Sequence, residues 1–204
     1  MTELIPIQLA VEDDLSEWIL RRVLHSRRYT IGGVFGRNGS GYLRKRVQGF
    51  NNAAQGCPWI LLTDLDQYAC PPELINAWIG DRRHRHFLLR VAVREVESWL
   101  LGDSSGFGAF LRSRRKPVLV RPEEIQSPME ELLKWAASSR SNSVREALVR
   151  VDRTGRLFQG PDYNGTLGCF VMGKWNVDAA RRSCPSLDRL LLALDRLECS
   201  FGRP

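Results

Sequence analysis

Apolar residues in the first half of the chain come in short runs that alternate with helical stripes. LIPIQLAV (4–11) reads as a strand. In the EDDLSEWILRRVL that follows, Leu15, Trp18, Ile19 and Val23 keep helical spacing. Asp14 with Glu17 three residues on resembles a capping box with aspartate at the cap. YTIGGVF (29–35) is a second expected strand, GRNGSG (36–41) a loop, and YLRKRVQGFNNAAQG a helix with basic residues near its start. WILLTDL (59–65) reads as a third strand and PPELINAWIG as a helix opened by prolines. HFLLRVAV (86–93) reads as a fourth strand, running into REVESWLLGD. Strands alternating with helices imply parallel pairing under covering helices.

After SRRKPVLVRP the pattern turns helical, through EEIQSPMEELLKWAASS, NSVREALVRV, YNGTLGCFVMGKW, VDAARRS and SLDRLLLALDRLE. Leu187, Leu190, Leu191, Leu194 and Leu197 form a stripe that marks a core face. The expected fold is therefore α/β: a Rossmann-like, mostly parallel sheet of about four strands flanked by helices over 1–104, with a C-terminal helical subdomain over 105–204. The boundary is soft, and one core shared by both halves is the alternative. No linker, internal repeat or low-complexity tract interrupts the chain.

Composition narrows the class. With 204 residues, 43% hydrophobic and 26% charged, the chain suits a water-soluble globular protein with one substantial core. No apolar run approaches the roughly 20 residues that cross a bilayer. The start MTELIPIQLAVEDD has neither a basic n-region nor a small-residue cleavage site, so a cytoplasmic, membrane-free protein is expected. Five scattered cysteines without a C-x-x-C pair fit reduced thiols better than a disulfide frame or zinc site. His84 and His86 lack a third ligand and read as a solvated strand entry. A net charge of +7 favours a polyanionic partner.

The candidate chemistry sits at strand ends. On a strand, residues two apart share a side, with alpha carbons roughly 6.5–7 Å apart. Ligands of open α/β sheets bind beyond the carboxyl ends of the strands, where Asp64 and Asp66 fall. Two such carboxylates repel one another unless a cation joins them, and no lysine or arginine lies within four residues on either side. Magnesium suits the pair, since it takes one or two carboxylates and fills its other positions with water or phosphate oxygens. The first strand ends in Glu12 and the fourth in Glu95 and Glu97. One or two metal ions in a hydrolytic site would need this inventory. Two readings stay open for Glu95 and Glu97, as metal ligands or as the opening of a helix whose Trp99 and Leu100 pack inward. Asp13 and Asp14 read as helix caps, and Asp103 as a helix-closing residue.

Glu12 after the first strand, followed by Asp64-Leu65-Asp66 after the third, resembles the TOPRIM domain of topoisomerases, primases and overcoming-lysogenization-defect (OLD) nucleases. More narrowly, VEDD, TDLDQYACPPELI, RVAVREVESWLLGD and DYNGTLGCFVMGKWNVDAARRSCPSLDRLLLAL resemble a family of small stand-alone TOPRIM-like proteins, over most of the chain. The resemblance implies Mg²⁺- (or Mn²⁺-) dependent phosphodiester cleavage. Glu12 would be general acid/base or metal ligand, Asp64 and Asp66 metal ligands, and Glu97 would complete a second ion site. It also implies an OLD- or ABC-type ATPase partner in anti-phage defence. The chain departs from the pattern at Asp13, where TOPRIM motifs place glycine, and at Pro128-Met129, where relatives often carry Pro-Lys.

Arg37, Arg44, Lys45 and Arg46 lie on the glycine-rich loop and helix start, where backbone N–H groups favour anions, and with Arg94 they are the candidate contacts to DNA or RNA. The loop lacks the Gly-Lys-[Ser/Thr] ending of a Walker A motif. RSRRK (112–116) and RR (181–182) read equally as solvated faces. Besides a nuclease, the sequence allows a non-catalytic subunit that docks on the ATPase. It also allows, at lower weight, a haloacid-dehalogenase-type phosphatase, against which Tyr68 stands where threonine is usual.

Overall fold

A computed structural model describes residues 4–113 and 121–202. The chain runs through β1 (Ile5–Val11), α1 (Asp14–Leu24), β2 (Tyr29–Gly36), α2 (Gly39–Ala53), β3 (Trp59–Asp64), α3 (Pro71–Trp78) and β4 (Phe87–Ala92). It continues through α4 (Glu97–Gly102), α5 (Ser104–Phe110), α6 (Pro128–Ala137), α7 (Asn142–Leu148), β5 (Val149–Val151) and β6 (Leu157–Gln159). The last elements are α8 (Tyr163–Gly173), α9 (Val177–Arg181) and α10 (Pro185–Ser200). Two compact units result: Met1–Val93 with Ser186–Pro204, and Arg94–Pro185. The sequence reading divides the chain near 104 and groups all later residues together. In the structure the last helix belongs to the α/β unit, because a leucine stripe specifies an apolar partner without saying which one.

The first unit is the expected α/β layer, a four-stranded sheet in the order β2-β1-β3-β4. All three pairings are parallel. Both faces of the sheet are covered. Trp59 and Leu61 of β3 pack with Leu43, Val47 and Phe50 of α2 and Leu74 of α3. Ile60 and Leu62 point to the opposite face and are equally buried. That face belongs to α1 and α10. From β1 the chain moves to β2 on one side, whereas from β3 it moves to β4 on the other. Right-handed crossovers then place α1 and α3 on opposite faces. The Tyr29 hydroxyl at the start of β2 donates to the Leu194 carbonyl of α10 at 3.0 Å, and Arg27 pairs with Asp195 at 2.6 Å.

The second unit is built on three buried tryptophans, Trp99, Trp135 and Trp175. Phe107 packs edge-on against Trp135 and Phe170, both at 5.2 Å between ring centroids. The Trp175 indole N–H donates to the Trp99 carbonyl at 3.2 Å. Asp103 closes α4, as expected, and also caps α5. Its carboxylate accepts from Gly106 N–H at 3.0 Å and from Asn176 N–H at 2.8 Å, while only 3% exposed. Asp103→Ala leaves two backbone donors without this acceptor and is expected to cost about 1–3 kcal/mol in a denaturant melt. A loss near zero would show that water replaces the carboxylate.

The stretch NSVREALVRV, expected as one helix, ends α7 at Leu148 and continues as β5, paired antiparallel with β6. Local turn chemistry forms this hairpin. Asp152 accepts from Thr154 N–H and Arg156 N–H at 2.8 and 3.0 Å, and Gly155 takes the positive φ (84°) that its turn requires. No described helix is long and apolar enough to cross a membrane.

Candidate functional site

The strand order fixes where a ligand would sit. The strand order reverses at β1 and β3, which are parallel neighbours, so the helices that follow these two strands leave toward opposite faces and open a crevice at their carboxyl ends. Glu12 follows the last residue of β1, and Asp64 is the last residue of β3. The chain is drawn tight here. Arg37 N–H donates to the Val11 carbonyl at 2.8 Å and Gly39 N–H to the Glu12 carbonyl at 3.0 Å. At Gly36 a side chain would meet the Val11 carbonyl oxygen at 2.1 Å, and its φ is +106°, so only glycine fits.

Glu12 does not turn away into solvent. Its Oε1 accepts from the Asp64 N–H at 3.0 Å and from the Thr63 hydroxyl. Thr63 is 1% exposed, at the end of an otherwise apolar strand. Burial pushes the Glu12 carboxyl up to about 7. The bonds from Thr63 and Asp64 oppose that rise, while the negative charges of Asp66 and Asp13 add to it. A carboxylate this close to neutrality at pH 7 can both take and give a proton.

Asp66 departs from the expected strand geometry. The strand ends at Asp64, Leu65 N–H still donates to the Ala92 carbonyl at 2.9 Å, and Asp66 then takes a left-handed φ of 51°. The two-residue alternation therefore does not carry through to it. Asp66 is exposed and lines a cleft of about 610 Å³ with Ser40, Gly41 and Arg44 of α2 and Glu73 and Trp78 of α3. Among the described residues no group of three or more His, Cys, Asp or Glu side chains is arranged to hold a metal ion. Glu12, Asp64 and Asp66 thus form no ready three-ligand cage. The donor set still fits a hard cation that needs one or two carboxylates and takes water or phosphate oxygens for the rest. Such a cation would also relieve the repulsion that Glu12 bears.

The other expected site residues separate by partner. Asp13, not Asp14, is the cap of α1, its side chain accepting from Ser16 N–H at 2.8 Å. The cap therefore lies one residue before the position expected from the Asp14–Glu17 spacing, because Asp13 has the extended backbone a cap needs, and Glu17 pairs with Arg21 and Arg37 instead of closing a capping box. Arg37, expected to grip phosphate, is ion-paired with Asp14 at 3.2 Å and with Glu17. Arg44 reaches the same cleft as Asp66. Arg46 lies over the Tyr42 ring at 4.9 Å, and Lys45 is exposed on α2. Asn38 makes no side-chain cap to α2, so its first-turn N–H groups beside Ser40 and Gly41 lack one. Arg94, Glu95 and Glu97 belong to the second unit. There Glu95 accepts from Met129 N–H at 2.7 Å and buried Glu97 from the Tyr163 hydroxyl at 2.9 Å. Of RSRRK, residues 114–116 lie outside the described residues.

Sequence reasoning passed over Thr63, which orients Glu12. The trace was there: a single hydroxyl in the strand WILLTD. It also passed over Glu73 and Trp78, which only the return of α3 brings to the cleft.

No family model matches the chain, and no curated protein matches it. Among solved structures it is similar to the C-terminal region of the Burkholderia pseudomallei OLD protein, at 13% identity and a TM-score of 0.46, over 91% of this chain and 98% of that one. A likeness that distant assigns no residue a role.

Proposed function

We propose that the α/β unit carries the active site of a divalent-metal-dependent phosphodiesterase that cleaves nucleic acid. One observation supports this above the others: at the β1/β3 switch point, Glu12 is tied to the end of β3 by Thr63 and Asp64 and is raised to about 7. In this reading Asp64 and Asp66 hold Mg²⁺ or Mn²⁺. The ion would supply Lewis acidity and a water of lowered pKa. Glu12 is the general acid/base, with Thr63 holding its carboxylate in place. Arg44 and the first-turn N–H groups of α2 take the phosphate oxygens. Glu95 and Glu97, engaged by Met129 and Tyr163, are left out of the ligand set.

The test is direct. Purified protein is incubated with single- and double-stranded DNA and RNA, with Mn²⁺, with Mg²⁺ and with EDTA. Cleavage that needs the cation and is lost in Asp64→Asn supports the reading, whereas equal cleavage by Asp64→Asn rejects it. If no substrate is cut, co-purification with an ATPase of the ABC type tests the alternative reading, a non-catalytic subunit that docks on such an ATPase.

A further inference from the structure

The α/β unit carries a second cleft, of about 460 Å³, lined by the loop that enters β4, by the first part of β4 and by the last turns of α10. Its volume falls in the range of small-ligand sites. Among the described residues four guanidinium groups line it, Arg83, Arg85, Arg90 and Arg196, and no acidic side chain does.

The acids of α10 nearby in sequence, Asp195 and Glu198, are tied to Arg27 at 2.6 and 3.6 Å. Among the described residues none of the four makes an ion pair, and Arg90 Nε is buried without a hydrogen-bond partner. Burial, with Arg83 and Arg196 alongside, pulls the Arg90 guanidinium down to about 10, so it stays charged at neutral pH. A guanidinium has five N–H donors in a fork that matches phosphate oxygens. Holding one half-buried beside three like charges is unfavourable unless an anion joins them.

The cleft also has an aromatic wall. The rings of His86 and Phe201 lie 5.0 Å apart, and His84 meets His86 edge-on at 5.2 Å. Burial, helped by Arg85 and His84, lowers the pKa of His86. The loop is braced: buried Asn51 accepts from His84 N–H at 2.7 Å and donates to the Arg82 carbonyl at 2.9 Å. His84 Nδ1 accepts from His86 N–H at 3.3 Å, which fixes the His84 ring at the cleft wall. Phe201 is 41% exposed beyond its contact with His86.

We propose that this cleft binds a nucleotide, free or as one unit of a single strand, with its phosphate on Arg90, Arg83, Arg85 and Arg196 and its base against His86 and Phe201. Arginines beside stackable rings are how proteins hold single strands without reading sequence. The site lies at the amino end of β4, away from the carboxyl ends that carry Glu12 and Asp64. Binding here needs no metal and does not rest on the nuclease reading.

The test uses the full chain in EDTA, so that cation-dependent chemistry is silent. Anisotropy of a labelled oligothymidylate and calorimetry with ATP and with inorganic phosphate give three arms. A single-strand site binds the oligomer at least tenfold tighter than ATP, and a free-nucleotide site does the reverse. Arg196→Ala and Arg85→Ala, both on exposed positions, should each weaken binding about tenfold and reduce the salt slope by about one. Phe201→Ala should weaken binding of the oligomer or ATP and leave inorganic phosphate unchanged. Arg90→Met should abolish binding while raising the melting temperature of the free protein, since it removes an unpaired buried charge. Arg153→Ala, in the second unit, is the control. Absence of binding in every arm, unchanged affinity in the arginine variants, or inorganic phosphate binding as tightly as ATP would each overturn the proposal.

Discussion

Glu12→Gln is expected to lower Mg²⁺- or Mn²⁺-dependent cleavage by on the order of 10²–10⁴, the usual contribution of a positioned general acid/base, with the fold intact. The substitution is chosen for what it keeps. A glutamine carbonyl oxygen at position 12 can still accept from the Thr63 hydroxyl and the Asp64 N–H. Only the titrating proton and the negative charge are lost. A larger deletion, Glu12→Ala, would leave the buried Thr63 hydroxyl without this acceptor and confound catalysis with stability. Thr63→Val keeps the shape of the strand and removes the hydroxyl. It should lower turnover by a smaller factor and shift the acidic limb of the pH profile, since one bond favouring the ionised carboxylate is gone. A Glu12→Gln protein that cleaves as well as the parent would remove Glu12 from the chemistry altogether.

The second large effect is on stability, and it should run against the habit of carboxylates. The folded-state pKa of Glu12 is raised from 4.5 to about 7, so the folded protein holds this proton more tightly than the unfolded chain does. Its contribution to stability is fully present below pH 4.5. It declines as pH rises through the window from 4.5 to 7 and is gone above it. At about 1.4 kcal/mol per pH unit the whole change is about 3 kcal/mol, an upper bound for this one group. In metal-free buffer at pH 8, Glu12→Gln should therefore melt higher than the parent, by on the order of 5–10 °C. At pH 4 the two should melt together. Adding Mg²⁺ at pH 8 should raise the parent's melting temperature more than the variant's, because a cation held by Asp64 and Asp66 also offsets the charge of the ionised Glu12 carboxylate. Identical melting curves for parent and variant from pH 4 to 8 would mean that Glu12 is solvated.

Both effects come from one feature of the fold, a carboxylate carried into partial burial at a strand end and bonded to the neighbouring strand. The same unit holds a second charge under similar stress, Arg90 of β4, which lines the second cleft. Each is a charged or polar break in an apolar strand, Thr63 in WILLTD and Arg90 in FLLRVA. Residues of this kind are costly to bury. They mark where the sheet is built for something besides its own stability.

The sequence by itself determined the elements and their type. The apolar runs 5–11, 59–64 and 87–92 are too short for helices and too continuous for one-sided strands, so they had to become the centre of a sheet covered on both faces. The alternation with helices made that sheet parallel, and a parallel sheet sends Glu12 and Asp64 to the same end. What the sequence could not carry was order across the sheet. That β1 and β3 are neighbours, with β2 outside, follows from side-chain packing between segments about fifty residues apart. Local patterns are blind to such contacts. The same holds for α10, whose leucine stripe fits any apolar face, and for Asp66, whose turn follows from where β3 stops pairing. Periodicity is a property of neighbours along the chain. A site is a property of neighbours in space, and here only the folded chain joined Thr63 to Glu12 and Arg90 to Arg196.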